Sequence, residues 1–290
     1  MIKIFLAVLL VLTAYFAYIF LSDYIKAYKS NKIENSNFAF LGVIGFIACF
    51  FDTLGIGCFA IITGFLRNFK LSKDRVLPGT LNVSSTIPIV VEALIFMTVI
   101  KVETITLFSM IIAAAIGSIL GAGFVSKLDE KKVQIYMGIA LLLVALLMLA
   151  SQLKLMPVGG TSTGLTGFKL VIAIVGNFIL GALMTLGIGL YAPCMALVFA
   201  LGMSPKIAFP IMMGSCAFLM PFASYKFIKE DAYDRKASLA ITIFGSVGVL
   251  VAAYIVKSLP IKTLTWVVIV VIAYTSFSMF KSGIKKRRYN

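Results

Sequence analysis

The sequence contains one five-residue motif twice: it occurs as Thr53-Leu54-Gly55-Ile56-Gly57 and, 132 positions later, as Thr185-Leu186-Gly187-Ile188-Gly189. At this offset, residues 45–78 align with residues 177–210 without a gap and share 10 identities in 34 positions. A related match at an offset of 131 pairs Gly117, Ala122, Leu128 and Lys131 with Gly248, Ala253, Leu259 and Lys262. Matches in one frame over this length predict an internal repeat.

The composition is that of a membrane protein. Of the 290 residues, 61% are hydrophobic and 13% are charged, and the mean hydropathy is +1.07, whereas soluble domains are about half apolar and a quarter charged. Seven stretches have the ~20 apolar residues that a membrane crossing needs: 4–22, 76–100, 104–126, 133–151, 207–228, 237–257 and 261–280. The first stretch lacks a small-residue cleavage site, so we expect an uncleaved N-terminal anchor rather than a signal peptide.

Two further apolar regions, 36–70 and 168–203, are each interrupted by Gly-Ile-Gly. The resulting pieces have about 14 to 19 residues, and the shorter ones reach only about 21 Å, which is less than the ~30 Å hydrocarbon core. Each region is therefore predicted to be a broken, re-entrant-like helical hairpin whose tip lies inside the protein. The predicted fold is an all-α polytopic membrane protein. In it, an N-terminal transmembrane helix precedes two repeats, each with one such hairpin followed by three transmembrane helices.

The basic residues predict how the two repeats are oriented. Because three crossings, an odd number, follow the first hairpin, the second repeat should enter the membrane inverted. With this topology, 19 of the 26 Lys and Arg residues fall in the segments placed in the cytoplasm: 23–38, 67–75, 127–132, 226–236 and 281–290. Since Lys and Arg favour the cytoplasmic side, we expect an extracytoplasmic N-terminus and a cytoplasmic C-terminus. The expected units are an N-terminal helix and loop (1–35), a first repeat (36–151), an extracytoplasmic linker (152–167), a second repeat (168–281) and a basic tail (282–290).

Charge and residue types exclude several functions. The net charge of +15 would suit nucleic acid or an anionic surface, but in so apolar a chain we interpret it as an orientation signal beside anionic lipid headgroups and expect no nucleic-acid partner. The sequence has no histidine, which rules out a His-ligated metal, a Ser-His-Asp triad and a His proton relay. Cys49, Cys58, Cys194 and Cys216 lie in apolar segments and are predicted to be buried thiols without disulfides. We therefore expect no enzyme activity, no metal and no cofactor.

The two hairpin tips are the first candidate for a substrate site. Glycine lets the backbone turn sharply and lets a ligand approach amide groups, and the helix that follows begins with unpaired N–H groups that suit an anion. The candidate residues are Thr53, Gly55, Ile56 and Gly57 in the first tip, and Thr185, Gly187, Ile188 and Gly189 in the second. The alternative is that these glycines only allow tight turns or close helix packing.

A second group of candidates lies in the helix after each hairpin. Pro78 is predicted to open the first of these helices and Pro210 the second, while Pro88 and Pro221 predict kinks or short unwound turns within them. Polar side chains in such apolar spans are expected to face a substrate rather than lipid. They are Thr80, Asn82, Ser84, Ser85 and Thr86 in the first copy, and Ser215 and Cys216 in the second. The alternative is that each hydroxyl bonds the preceding helical turn or a neighbouring helix.

Two acidic residues, Asp52 beside the first tip and Glu92 in the following helix, lie well inside apolar spans. An ionisable group in the membrane is costly to bury and is a functional candidate, and a carboxyl that binds and releases a proton would couple transport to the proton gradient. The second copy has Met184 and Ser224 in their places, so this coupling would be asymmetric. The alternatives are that Asp52 caps a helix, and that Glu92 is a neutral, hydrogen-bonded carboxyl or lies near the outer interface.

The motifs and their order resemble those of a known bacterial family. The likeness is carried by Phe51-Asp52-Thr53-Leu54-Gly55-Ile56-Gly57, by Pro78-Gly79-Thr80-Leu81-Asn82, by Gly181-Ala182-Leu183-Met184-Thr185-Leu186-Gly187-Ile188-Gly189, and by Gly117 with Gly121-Ala122 before the basic loop 127–132. Over about residues 36–281, the chain resembles the sulfite exporter family TauE/SafE, also called the toluene-sulfonate uptake permease family.

The resemblance implies transport of a small sulfur-containing anion, such as sulfite or an organosulfur anion, across the bacterial inner membrane. Together with the inverted repeats and the two carboxyl groups in apolar spans, it leads us to expect a secondary transporter that works by alternating access, with protons as a candidate second partner. The chain departs from the glycine-richer tips of that family, because Cys58-Phe59 and Leu190-Tyr191 follow its glycines. This departure allows a substrate of a different shape from sulfite. A passive anion channel and a membrane assembly or partner-binding protein are the alternatives.

Overall fold

The computed structural model describes residues 2–96, 102–155, 159–255 and 261–285, and these fold mainly into helices. In chain order the helices are α1 (Ile2–Lys29), α2 (Phe38–Thr53), α3 (Cys58–Asn68), α4 (Leu77–Phe96), α5 (Thr104–Val125), α6 (Glu130–Gln152), α7 (Gly167–Met184), α8 (Tyr191–Ala200), α9 (Pro205–Lys229), α10 (Arg235–Ile255) and α11 (Ile261–Lys285). A short 3₁₀ turn, Asp74–Val76, precedes α4. Within the described ranges there is no β-strand, which confirms the predicted all-α class.

Seven helices in the described part of the chain are long and apolar enough to cross a membrane. They are α1, α4, α5, α6, α7, α9 and α10, and the described part of α11 adds the shorter apolar stretch Ile269–Ile284. The remaining hairpin helices are shorter, since α2 has 16 residues, α3 has 11 and α8 has 10. At 1.5 Å per residue these reach about 24, 17 and 15 Å, less than the ~30 Å core.

Several helix boundaries differ from the sequence-based expectation. α1 continues to Lys29, past the expected end of the first crossing at residue 22, because no Gly or Pro interrupts it. α9 begins at Pro205 after Ser204, so the prediction that Pro210 opens this helix is wrong; Pro205 takes the first-turn position that proline favours. Both α4 and α9 continue as helices through their internal prolines, without an unwound turn.

Both hairpins break at glycines with positive φ. The φ angles of Gly55, Gly57 and Gly187 are +93°, +88° and +96°, a region that residues with a side chain rarely adopt. The N–H of Gly55 donates to the carbonyl of Asp52 at 2.8 Å, and the N–H of Gly187 donates to the carbonyl of Met184 at 2.9 Å. α2 and α7 therefore close with the same bond at matched positions of the repeat.

Helices from the two halves of the chain pack in matched pairs. α2 packs against α10 and α7 packs against α5, while α4 packs against α10 and α9 packs against α5. At the offsets found in the sequence, α2 corresponds to α7, α4 to α9 and α5 to α10. Each of these contacts between the halves therefore occurs twice, with the two halves exchanged. The corresponding helices α4 and α9 also contact each other, as do α6 and α11.

In each of the pairs α5–α7 and α2–α10, one glycine makes the closest backbone approach. A Cβ atom at Gly117 of α5 would lie 2.0 Å from the carbonyl oxygen of Phe178 in α7. A Cβ at Gly248 of α10 would lie 2.4 Å from the carbonyl oxygen of Phe46 in α2. Gly248 and Phe46 are the repeat counterparts of Gly117 and Phe178, so the same small-residue crossing is used twice.

The helices α4 and α9 form the centre of the bundle. Of the apolar span in each helix, 78% is buried in α4 and 83% in α9, against 22% in α1 and in α7. The polar side chains of α4 that the sequence singled out, from Thr80 to Glu92, are fully buried. They therefore face protein and not lipid, as expected for polar groups at this depth.

Candidate functional site

A cavity of about 60 Å³ lies between the two hairpin tips and the central helices. It is lined by Asp52, Gly55, Ile56, Gly57, Cys58 and Phe59 from the first hairpin, by Gly189, Leu190, Tyr191 and Ala192 from the second, and by Ile89, Val144, Met148, Met184 and Cys216. Since about 10–15 Å³ of such space holds one water molecule, the cavity has room for a small ligand. The two copies of the motif thus meet at one place.

In the first tip, the carboxyl of Asp52 occupies the start of α3. Its Oδ1 accepts a hydrogen bond of 2.9 Å from the N–H of Cys58, the first residue of that helix. An acidic group there pairs with an N–H that has no partner within the helix and is favoured by the helix dipole. Asp52 is buried, so the N-terminus of α3 already carries an acidic group of the protein.

In the second tip, the start of α8 carries no such group. α8 begins at Tyr191 after Leu190, and no side chain of a described residue caps it. The residue aligned with Asp52 is Met184, which lines the cavity with an uncharged thioether. The first turn of a helix leaves N–H groups without intrahelical partners. Because Pro193 has no N–H, the donors that the start of α8 offers an anion are the N–H groups of Tyr191 and Ala192, two residues that line the cavity.

Two buried polar side chains beside the cavity make no hydrogen bond to any described residue: Tyr191, through its hydroxyl, and Glu92, through both carboxyl oxygens. Tyr191 lines the cavity, and the Glu92 carboxyl lies near its hydroxyl without forming a hydrogen bond of good geometry. Because most buried polar groups in proteins are paired, these two groups are candidates for contact with a ligand or a proton.

Sulfur atoms and apolar side chains form much of the remaining wall. Cys58 and Cys216 are free, buried thiols; the Sγ of Cys216 lies 3.9 Å from the Sδ of Met184, and the Sγ of Cys58 lies 3.7 Å from the Oγ of Ser85. Among the residues that line the cavity there is no Lys or Arg. An anion bound there would depend on backbone N–H groups and on the Tyr191 hydroxyl rather than on a cationic side chain.

The structure brings part of the predicted site to this cavity. Of the predicted residues, those that line it are Asp52, Gly55, Ile56, Gly57, Gly189 and Cys216. Ser85 lies behind them, in contact with Cys58, and Glu92 lies behind Tyr191. The predicted residues outside the lining are Thr53, Thr80, Asn82, Ser84, Thr86, Thr185, Gly187, Ile188 and Ser215.

Several of these outlying polar residues bond backbone carbonyls of their own helix. The hydroxyl of Thr53 donates to the carbonyl of Cys49 at 3.0 Å, and that of Thr185 donates to the carbonyl of Ala182 at 2.7 Å. Similar bonds join Thr80 to Val76, Asn82 to Pro78, Ser84 to Leu81 and Thr86 to Asn82, whereas the hydroxyl of Ser215 accepts from Asn177. For these side chains the geometry follows the structural alternative considered above.

Sequence reasoning did not identify Tyr191 as a polar group of the site, nor Val144 and Met148 of α6 as part of its wall. The signal for Tyr191 was available, because the aligned residue in the first copy is Phe59 and the two differ by one hydroxyl. Val144 and Met148 lie in an ordinary apolar span and carry no such signal.

Comparison with protein families matches the description "Sulfite exporter TauE/SafE" to residues 1–148, about half of the 290 residues. The matched part includes α1, the first hairpin and most of the three helices that follow it. A search of curated proteins and a search of solved structures each returned no match. The motifs quoted from both halves, the multi-pass helical fold and the family match lead to one conclusion: this chain belongs to the sulfite exporter TauE/SafE family.

Proposed function

We propose that this chain is a secondary transporter that moves a small sulfur-containing anion, sulfite or an organosulfur anion, across the bacterial inner membrane. The observation that carries the proposal is that residues of both hairpin tips line one cavity. A cavity between the repeats, at discontinuous helices whose N-termini meet a ligand, is the arrangement that secondary transporters use. The family to which the chain belongs supports the sulfur-containing substrate.

Within this site, we assign the anion to the start of α8. The start of α3 carries the Asp52 carboxyl, which would repel a second anion, whereas in the described part of the chain no side chain caps α8. The thiol and thioether groups of Cys58, Cys216 and Met184 form a soft, weakly polar wall on which the sulfur or an apolar part of the substrate would lie.

The matched packing of the two halves supports alternating access. Because each hairpin helix packs on a helix of the other half, rocking one half against the other would move both tips about the shared cavity. The charge distribution supports an inverted second repeat with an extracytoplasmic N-terminus and a cytoplasmic C-terminus. Asp52 and Glu92, both buried next to this cavity, are the candidate groups for coupling to protons.

Gly189 provides the cleanest test of the site. It lines the cavity, a Cβ there would meet no atom within 4 Å, and its φ is not positive, unlike those of Gly55 and Gly57. Gly189→Ala therefore adds a methyl group to the cavity without straining the backbone. We expect it to lower sulfite flux into proteoliposomes about tenfold, the effect of a clash worth about 1.4 kcal/mol with the substrate.

The matched control is Gly123→Ala, at a glycine of α5 where a Cβ also meets no atom within 4 Å and which does not line the cavity. It should carry sulfite like the wild type. Equal flux in Gly189→Ala and Gly123→Ala would refute the placement of the substrate between the tips. Counterflow, in which sulfite inside the vesicle accelerates uptake of labelled sulfite, is expected of a carrier, and its absence with non-saturating flux would identify a channel instead.

A further inference from the structure

The two carboxyl groups beside the cavity differ in what they bind. Asp52 already accepts the N–H of Cys58, so its carboxyl is engaged in holding the start of α3. Neither oxygen of Glu92 has a hydrogen-bond partner among the described residues, and the same is true of the Tyr191 hydroxyl next to it. Both side chains are more than nine-tenths buried, and Tyr191 lines the cavity.

We propose that Glu92 is the site of the proton that accompanies the substrate, and that Tyr191 links this proton to the anion. This inference rests on the proposed transport function and deepens it. It selects one of the two candidate carboxyl groups as the proton site, and it adds Tyr191 as a residue that contacts the substrate. Tyr191 is a positioning residue for the proton and a direct contact for the anion.

The link follows from the single hydrogen of a tyrosine hydroxyl. Such a hydroxyl donates one hydrogen bond at a time and accepts others. When Glu92 is ionised it can only accept, so it competes with the anion for the Tyr191 hydrogen. When Glu92 is protonated it donates to the Tyr191 oxygen, and Tyr191 is then free to donate to the anion. Binding of the anion and binding of the proton therefore favour each other, as linked equilibria require.

Among the described residues, no Lys or Arg acts on the Glu92 carboxyl. The ionisable groups that act on it are Asp52 of α2, Tyr191 of α8 and Cys216 of α9. The helices α1 and α10 also pack against α4, but Asp23 and Arg235, which they contribute to an ion pair, lie with Tyr233 near the Thr80 end of α4. Thr80 is about 12 residues, or about 18 Å, from Glu92 along the helix. One proton per bound monovalent anion leaves the charge of the site unchanged.

Calorimetry in buffers of different ionisation enthalpy measures the protons taken up per bound ligand. The purified full chain in lipid nanodiscs is titrated with sulfite and with methanesulfonate, and each variant is compared with the wild type in the same buffer, so that protonation of the ligand itself cancels. We expect the wild type to take up about one proton per ligand, and Glu92→Gln, which keeps the size of the side chain, to bind without this uptake.

Tyr191→Phe should bind about tenfold more weakly, the loss of one hydrogen bond to a charged group, and should take up less than half the wild-type number of protons. A merely structural role of the hydroxyl would leave proton uptake unchanged. Tyr136→Phe, at a partly exposed tyrosine of α6, is the matched control and should behave like the wild type, as should Asp52→Asn in proton uptake.

The outcomes separate this inference from the proposed function. Binding without proton uptake by the wild type, or uptake that is lost in Asp52→Asn and kept in Glu92→Gln, would overturn the role of Glu92 and leave the transporter proposal standing. If the wild type neither binds nor carries sulfite or methanesulfonate, the proposed function itself fails. Thermal unfolding of each variant shows whether it is folded, and Tyr191→Phe, which removes an unpaired buried hydroxyl, should unfold no earlier than the wild type.

Discussion

Alanine at Gly117 or Gly248 should weaken the contact between a hairpin helix and its partner from the other half of the chain. The added Cβ would lie 2.0 Å from the Phe178 oxygen in one case and 2.4 Å from the Phe46 oxygen in the other, whereas ordinary contacts begin at 3.4 Å. The helix pairs α5–α7 and α2–α10 would therefore have to separate by about 1.4 Å and about 1.0 Å. The atom in the way is a backbone oxygen in both cases, so a rotamer change cannot relieve the clash.

Overpacking of this kind costs about 1–3 kcal/mol, and alanine recovers up to about 1 kcal/mol over glycine in a helix. We expect a net loss of about 1–2 kcal/mol in the free energy of unfolding for each variant, with Gly117→Ala the larger because its contact is shorter. Reversible unfolding in mixed detergent micelles, followed by circular dichroism, measures this change.

The control is Gly123→Ala on the same helix α5, where a Cβ meets no atom within 4 Å. Only helix propensity acts there, so this variant should be as stable as the wild type or up to about 1 kcal/mol more stable. If Gly117→Ala and Gly248→Ala are also as stable as the wild type, then the close crossings of α5 with α7 and of α10 with α2 do not exist in the folded protein, and the matched packing of the two halves would be refuted.

Two further predictions concern single carboxyl groups. Asp52→Ala removes the acceptor for the Cys58 N–H and should lower the free energy of unfolding by about 1 kcal/mol. Asp52→Asn keeps an acceptor and should lower it by less than half as much. Equal losses for the two variants in chemical denaturation would contradict the capping role. Burial is the main cause that raises the pKa of Asp234, in the loop before α10, from its ordinary value of 3.8 to about 6. The carboxyl therefore contributes stability that is fully present below about pH 4 and is lost as the pH rises through about 6. Asp234→Asn keeps an acceptor for the N–H of Ala237, so it should match the wild type near pH 4 and be more stable by up to about 3 kcal/mol near pH 8; a constant difference across that range would contradict this assignment.

The sequence predicts the hairpin breaks well because their cause is local. Gly55, Gly57 and Gly187 adopt positive φ, and this requirement is visible in the residue type itself. Apolar spans are visible for the same reason, since hydropathy sums over one segment of chain. The sequence does not show that α9 begins at Pro205, because proline suits the first turn of a helix as well as a kink. By residue type alone, Pro205 and Pro210 are equally good candidates for the first turn.

Which helices pack together, and which residues line the cavity, depends on side-chain contacts between distant segments. The sequence gives little information on these contacts. Thr80, Ser84 and Thr185 are polar residues of the kind found in binding sites. Their hydroxyls nevertheless donate to backbone carbonyls in the preceding turn of their own helix. A hydroxyl in a helix has that option at any position, so the residue type alone does not distinguish the two roles. Tyr191 was missed for the opposite reason, because a tyrosine in an apolar segment is usually a packing residue.

The two copies of the motif bring different side chains to the cavity, and in the proposed transporter this difference leaves a single site for the anion. Two uncapped helix N-termini facing one cavity would form two equivalent anion sites. Here Asp52 fills the first of these positions while Met184 leaves the second open. Tyr191 adds to the open position a hydroxyl that its counterpart Phe59 lacks, and Glu92 stands behind that hydroxyl where the second copy has Ser224. In the proposed mechanism, the matched packing of the two halves would let them rock about the cavity, and the unequal side chains would limit the cavity to one anion with one proton.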